Sequence, residues 1–132
     1  MLDTIALPIE VRYIILILLS CFSDFIIGYE IKSKHKQAGR KTHILVALTA
    51  TLMIILSKEA FLDTPNYDTS RVAAQIVSGI SFIGGGIIFM RDKKINGITT
   101  AAGIWATAGI GIAIGAGFAF LGLFCSLIVV SV

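Results

Sequence analysis

Uncharged, mostly apolar stretches alternate along the chain with short clusters of charged residues. Four such stretches cover residues 13–29, 42–57, 72–90 and 95–132. A helix needs about 20 mostly apolar residues to cross a bilayer, with a range of roughly 17–25. The first and third stretches have this length, the second reaches it with its flanking residues, and the last is long enough for two tight spans. The pattern therefore predicts membrane-spanning helices.

The last stretch divides most naturally at the sequence Gly115-Ala116-Gly117. One span followed by a re-entrant segment is the alternative, since irregular backbone at membrane depth persists only where protein or a water-filled cavity covers it. We predict one all-α domain over residues 1–132, a polytopic membrane helix bundle of about five transmembrane helices. Their expected ranges are about 8–29, 42–58, 70–90, 97–115 and 117–132.

Composition supports a lipid environment. Hydrophobic residues make up 56% of the chain and charged residues 14%, whereas soluble domains have about 45–50% apolar and about 25% charged residues. The start, MLDTIALPIE, carries two acids before the first base and is followed by no small-residue cleavage site, which argues against a signal peptide.

The basic residues predict an orientation. Eight of the eleven lysines and arginines lie in the loops 30–41 and 91–97, which two helices separate. Short loops rich in lysine and arginine face the cytoplasm. We therefore expect the N-terminus outside and the C-terminus inside, and interpret the net charge of +3 as a topological signal, with no nucleic acid as partner.

Small residues recur at helical spacing in the third and fourth predicted helices. Lipid tails are as apolar as leucine, so helices in a bilayer associate through small residues that let backbones approach closely. A segment unwound at Gly84–Gly86 and open to a ligand is the alternative. The candidate packing residues are Gly79, Ser81, Gly84, Gly85, Gly86, Gly103, Thr107, Gly111 and Gly115.

Several polar residues fall within or beside the predicted spans. Asp24 is the only acid well inside one, and it either extends toward the cytoplasmic edge or contacts a cation or proton. Asp68 is a candidate cap of the third helix and a partner of Arg71, while His43 suits the cap region of the second helix. The full set of candidate polar residues is Asp24, Glu30, Lys41, Thr42, Asp68, Arg71, Gln75, Thr99, Thr100 and Trp105.

Trp105 lies too deep for a simple interfacial position, so we expect its N–H to bond another helix. Gln75 likewise needs partners in the bundle. We find no HExxH motif, carboxylate pair or nucleophile with a histidine base at plausible depth. Cys21 and Cys125 lack metal-ligand spacing. We expect no enzyme, no metal site and no cofactor.

Four blocks of sequence resemble the MgtC/SapB family of membrane proteins, over roughly residues 24–117. They are GYE from Gly28, AGRKTHILVAL from Ala38, DTSRVAAQIVSGISFIGGGII from Asp68, and NGITTAAGIWATAGIGIAIGAG from Asn96. Departures include Ile31 after Glu30 where the family usually has arginine, Lys41 in place of arginine, Asp24 in place of a small residue, and Ser81 in place of glycine.

The resemblance implies a bacterial inner-membrane protein linked to survival at low magnesium and to virulence, with restraint of the F-type ATP synthase in some members. Many members add a cytoplasmic C-terminal domain, which we expect to be absent here. We expect a regulator that acts by helix–helix contact with membrane complexes and self-associates, most simply as a dimer. The alternative is a small transporter or channel for Mg²⁺ or another solute.

Overall fold

A computed structural model describes residues 6–33 and 38–132 of the chain. Within these residues the chain forms five helices and one short β-hairpin. The five helices confirm the predicted all-α bundle. The elements are α1 (Ile9–Ser33), α2 (Arg40–Glu59), α3 (Ser70–Ile87), β1 (Phe89–Arg91), β2 (Lys94–Asn96), α4 (Ile98–Gly115) and α5 (Ala119–Ser131). The side of the membrane that each end faces stays a prediction, and Lys34 and Lys36 of the predicted cytoplasmic loop lie outside the described residues.

Three of the described helices are long and apolar enough to cross a membrane, over Ile9–Glu30, Arg40–Glu59 and Ile98–Gly115. Helix α5 has 13 residues and at about 1.5 Å per residue is roughly 20 Å long, which is shorter than a hydrocarbon core of about 30 Å. The chain is thus a membrane protein whose helix α5, taken by itself, is too short to cross the hydrocarbon core.

A glycine turn separates α4 from α5. Gly117 has φ of +99°, the left-handed conformation that favours glycine. The N–H of Phe118 donates to the carbonyl of Ala113 at 2.9 Å, and the N–H of Gly117 donates to that of Ile114 at 3.0 Å. These two bonds form a Schellman motif, which ends a helix by satisfying its last carbonyls. The predicted division of residues 95–132 therefore has a specific local cause.

The hairpin between α3 and α4 corrects one prediction. The third helix was expected to extend over residues 70–90, but it ends at Ile87 and Phe89 begins a strand that pairs with Asn96. Asp92 and Lys93 have φ of +52° and +60°, as in the two-residue turns of tight hairpins.

The run Gly84–Gly86 lies entirely within helix α3, so the alternative of an unwound segment is wrong. The backbone instead turns sharply at Gly97, which has φ of +88° and precedes α4. A Cβ there would collide with the carbonyl oxygen of Ile87, so the chain needs glycine where it turns from the hairpin into α4.

Helices α1, α2 and α4 pack against one another at the centre, α5 packs against α4 and α1, and α3 packs mainly against α4. Two apolar clusters form the core. One includes Ile27, Ile55 and Ile114, and the other is built around Ile80 and Ile104. Of the described residues of α3, Ile80 alone is buried, so α3 is the least enclosed helix of the bundle.

Two glycines of α4 bring its backbone close to α2. A Cβ at Gly111 would lie 2.7 Å from the carbonyl oxygen of Ala47, and one at Gly115 would lie 2.8 Å from that of Thr51. Their four-residue spacing places both on one face of α4. The close approach of α2 and α4 therefore requires glycine at these two positions.

The predicted packing glycines of α3 are placed differently. A Cβ at Gly79, Gly85 or Gly86 would meet no described atom within 4 Å, and one at Gly84 would only touch the Ala101 side chain at 3.6 Å. A packing role for the first three is therefore not met inside this chain and stays a prediction about another molecule.

Candidate functional site

Polar side chains are buried where α1, α2 and α4 meet. On α1, Ser20 and Asp24 are four residues apart and share a face with the core residue Ile27, and on α2 His43 shares a face with Ala47 and Ala50. Every member of this buried polar cluster has at most 1% of its surface exposed. The members are Ser20, Ser23, Asp24, His43, Thr51 and Thr107.

Thr107 links the two ionisable members of the cluster. Its Oγ1 lies 2.7 Å from Nδ1 of His43, a hydrogen bond between α4 and α2. The same hydroxyl interacts with the carboxyl group of Asp24 on α1. The geometry falls short of a hydrogen bond, so neither carboxyl oxygen has a bonded partner within the described residues. Three helices thus converge on one hydroxyl group.

A second polar contact lies one to two turns away. The Thr51 hydroxyl donates to the carbonyl oxygen of Gly111 at 3.0 Å, and it lies 2.9 Å from the hydroxyl of Ser20. Gly111 is also the point of close approach between α2 and α4. The polar contact and the glycine contact therefore fix the same helix crossing.

Four buried polar atoms in the cluster, on three residues, have no hydrogen-bond partner among the described residues. They are both carboxyl oxygens of Asp24, the hydroxyl of Ser23 and Nε2 of His43. An unpaired polar group in hydrocarbon is costly, and intramembrane ionisable residues mark ion pathways, proton relays or ligand sites. Of the two interpretations of Asp24, extension toward the membrane edge is wrong, because its carboxyl is enclosed by the bundle.

The cluster does not have the composition of a divalent-metal site. The described residues bring together no group of three or more His, Cys, Asp or Glu side chains that could hold a metal ion. Mg²⁺ prefers near-octahedral oxygen ligands, commonly one or two carboxylates with water or phosphate. The arrangement suits a proton or a single small cation better than Mg²⁺.

Asp68 lies at the exposed start of α3. Its Oδ1 accepts hydrogen bonds from the backbone N–H of Ser70 at 2.9 Å and from the Ser70 hydroxyl at 2.7 Å. These bonds, with a smaller contribution from Arg71, lower the pKa of the Asp68 carboxyl. Asp68 therefore stabilises the first turn of α3, as a cap residue does.

Other predicted residues lie apart from the cluster. Glu30, Thr99 and Gly103 line a cavity of about 260 Å³ beside the end of α5. Lys41 is exposed and Thr42 half-buried in the first turn of α2, and Thr100 is buried in α4. The structure does not gather these residues into one site.

Gln75 and Trp105 do not make the interhelical bonds expected of them. Gln75 lies with Arg71 along an apolar groove of about 570 Å³ between α2 and α3. Trp105 is 57% exposed and lines a second groove, of about 420 Å³, between α3, α4 and α5. Both side chains lie on the outside of the bundle because α3 contacts α4 without closing against α2 or α5.

Sequence reasoning missed the buried role of His43. The signal was its register on α2, where residues 43, 47, 50 and 51 are small or polar on the buried face. Ser20 of α1 and Thr51 of α2 also lie on the buried faces of their helices, so their register is the signal for them too. A histidine in the first turn of a helix resembles a cap residue when only its own helix is considered. Its contact with Thr107 depends on where α4 packs.

Apolar helices packed around a buried carboxyl, imidazole and hydroxyl define a helical membrane protein with a polar centre. More specifically, the chain belongs to the MgtC family, which matches residues 17–132. The resemblance seen in the sequence is thereby confirmed.

Named relatives agree with this assignment. The chain is 42% identical to "Putative magnesium transporter YhiD" of Escherichia coli (strain K12) over 87% of this chain and 56% of that protein. It is also 42% identical to Protein SapB of Bacillus subtilis (strain 168), over 70% of this chain and 43% of that protein. Protein MgtC of Brucella abortus (strain 2308) is 42% identical over 70% of this chain and 37% of its own length.

The chain spans about half the length, or less, of these curated relatives. No solved structure matches the chain.

Proposed function

We propose that the chain is a bacterial inner-membrane protein of magnesium adaptation that acts by helix–helix contact with another membrane protein. The observation that carries the proposal is the uncovered outer face of α3. Its centre is a stripe of small residues at helical spacing, which we call the α3 outer stripe. The stripe consists of Ala74, Ser78, Ser81 and Gly85, all exposed.

The α3 outer stripe has the chemistry of a helix-packing seam. Ala74 with Ser78, and Ser81 with Gly85, each repeat a small residue after four positions, the spacing that lets helix backbones approach in a bilayer. The Ser81 hydroxyl donates to the Val77 carbonyl at 3.3 Å, so a partner helix need not supply an acceptor for it. Phe82, beside the stripe, is 88% exposed and can enter a pocket on the partner.

The lipid-facing surface of α5 shows the contrast. Its exposed residues are large, including Phe120, Phe124 and Leu127, as expected of a face that meets acyl chains. Open grooves flank α3 on both sides, so a second helix can lie beside it. A small stripe between grooves favours a protein partner over lipid.

The family resemblance gives the partner two candidate identities. One is another membrane complex, with the F-type ATP synthase as the candidate that the resemblance supplies. The other is a second copy of this chain, with α3 packing against α3. Both use the same stripe, so a bulky residue on it disrupts either association.

The test compares enlarged side chains on and off the stripe. Ser78→Leu places a leucine at the centre of the α3 outer stripe, and Ala102→Leu places one at an exposed small residue of α4 that lines a different cavity. We expect native membranes from magnesium-starved cells to yield a co-purifying protein or dimer with wild type and Ala102→Leu. Ser78→Leu should lose it while remaining folded. Equal recovery with both variants would refute the seam.

A second candidate function is transport of Mg²⁺ or another solute, supported by the printed name of the E. coli relative. The enclosed carboxyl of Asp24 favours a proton or a single small cation as that solute. Liposomes containing the purified chain test it. Transport through the cluster predicts flux that falls at least tenfold in Asp24→Ala; absence of flux, or flux unaltered by that change, removes this candidate.

A further inference from the structure

The buried polar cluster contains a chain of contacts across three helices. Asp24 of α1 faces the Thr107 hydroxyl of α4, and that hydroxyl lies 2.7 Å from Nδ1 of His43 of α2. All three residues are 0% exposed. A hydroxyl group carries one hydrogen, so Thr107 can donate to one neighbour and accept from the other. This geometry restricts where the hydrogens of the cluster can lie.

We propose that Asp24, Thr107 and His43 form a proton-binding site that keeps one proton on the Asp24 carboxyl at neutral pH. The carboxyl O–H points to Oγ1 of Thr107, the Thr107 hydroxyl donates to Nδ1 of His43, and His43 carries its own hydrogen on Nε2. Each hydrogen is counted once, and the site has no net charge. This inference goes beyond the proposed helix-docking function and does not depend on it.

Burial selects this arrangement over the charged ones. A carboxylate without hydrogen-bond partners is costly in hydrocarbon, and the Asp24 oxygens have none among the described residues. Moving the proton through Thr107 to Nδ1 would create a carboxylate and an imidazolium, separated by the hydroxyl. Two buried charges held apart in this way are less stable than two neutral groups.

Within the part of the chain that the structure describes, the helices packed around Asp24 supply no charge that would reverse this choice. Helix α4 has no ionisable side chain, α5 has only Cys125, and α2 has His43 as its one ionisable residue between Lys41 and Lys58. On α1 the nearest titratable neighbour is Cys21, on which Asp24 acts electrostatically. Arg40 is engaged elsewhere, with its guanidinium 5.6 Å from the centre of the Phe25 ring.

Infrared spectroscopy of the purified protein in lipid tests the site directly. A protonated carboxyl has a carbonyl band distinct from that of a carboxylate, and labelling aspartate with ¹³C shifts the band of aspartates alone. We expect one protonated-aspartate band at neutral pH, where an exposed aspartate with a pKa of about 3.9 is ionised. The band should vanish in Asp24→Asn and persist in Asp68→Asn, whose carboxyl is exposed.

Variants of Thr107 and spectra of His43 test the link between the residues. Thr107→Val should shift the band, since it removes the hydroxyl, and Thr107→Ser should leave it in place. Nitrogen NMR should show His43 neutral with Nδ1 unprotonated. Should Asp24→Asn fail to fold, the labelled wild type still decides. Absence of the band at neutral pH, or a cationic His43, would overturn the proposal.

Discussion

The side chain of Thr107 shows how one residue can organise a membrane bundle. It lies on α4, bonds His43 on α2 and faces Asp24 on α1, so its hydroxyl lies where three helices meet. Its sequence position suggested a packing role, as one of the small residues spaced four apart. The structure adds a polar role at the same position.

Replacement of Thr107 by valine removes that polar role while keeping the shape. His43 Nδ1 is then buried without a partner, a change that costs about 1–3 kcal/mol. We expect Thr107→Val to lower the free energy of unfolding in detergent by this amount. Thr107→Ser, which retains the hydroxyl, should cost less, and equal losses in the two variants would argue against the hydrogen bond.

Asp68 gives α3 a pH-dependent first turn. Its pKa in the folded chain is below the ordinary value, so its contribution to stability is present above the unfolded pKa, about 3.9, and is lost as the pH falls through the folded pKa. We predict that hydrogen-exchange protection of the Ser70 amide, corrected for intrinsic rates, falls in that acidic range. In Asp68→Asn this dependence on pH should be absent; its persistence would assign it to another group.

At the scale of helices, glycine has opposite consequences at two positions of α4. A Cβ at Gly111 would lie 2.7 Å from the Ala47 carbonyl oxygen, whereas one at Gly109 would meet no described atom within 4 Å. The two residues differ by two positions on the same helix and so face different surroundings. They form a matched pair for measuring how the close approach of α2 and α4 affects the free energy of unfolding.

Gly111→Ala should therefore lower the free energy of unfolding by about 1–3 kcal/mol, as overpacking of a core does. Gly109→Ala should leave it unchanged or raise it by up to roughly 1 kcal/mol, because alanine is the better helix former. Reversible unfolding of both variants in the same detergent makes the comparison. A loss at Gly109 as large as that at Gly111 would contradict the observed crossing of α2 and α4.

The helices were predictable from the sequence because charges bound the apolar stretches and Gly117 marks the turn between α4 and α5. The hairpin at residues 89–96 was not, since its apolar residues extend the pattern of α3 and its left-handed turn uses Asp92 and Lys93 in place of glycine. Local pattern alone does not distinguish such a turn from a charged loop between helices.

The polar site was only half predictable. Asp24 was conspicuous as an acid inside a span, but its depth and its link to His43 depend on where α2 and α4 lie, which no local pattern specifies. For the same reason Gln75 and Trp105 were expected inside the bundle, whereas α3 and its grooves place them outside.

For the whole molecule, the uneven packing of the five helices matters most. Helices α1, α2 and α4 enclose a polar centre, while α3 contacts mainly α4 and leaves its small residues uncovered. A lone bundle gains little from glycines and serines on an outward face. They become useful when a second helix covers them, which is why we propose that α3 is the docking element of this MgtC-family chain.

Photo-crosslinking inside native membranes tests that claim most directly, with a photoreactive side chain at Ser78 on the α3 outer stripe or at Leu127 on the exposed face of α5. The account predicts that Ser78 gives a protein adduct of discrete mass, either a second copy or another membrane protein, while Leu127 gives lipid adducts. Lipid adducts alone from both positions would contradict it.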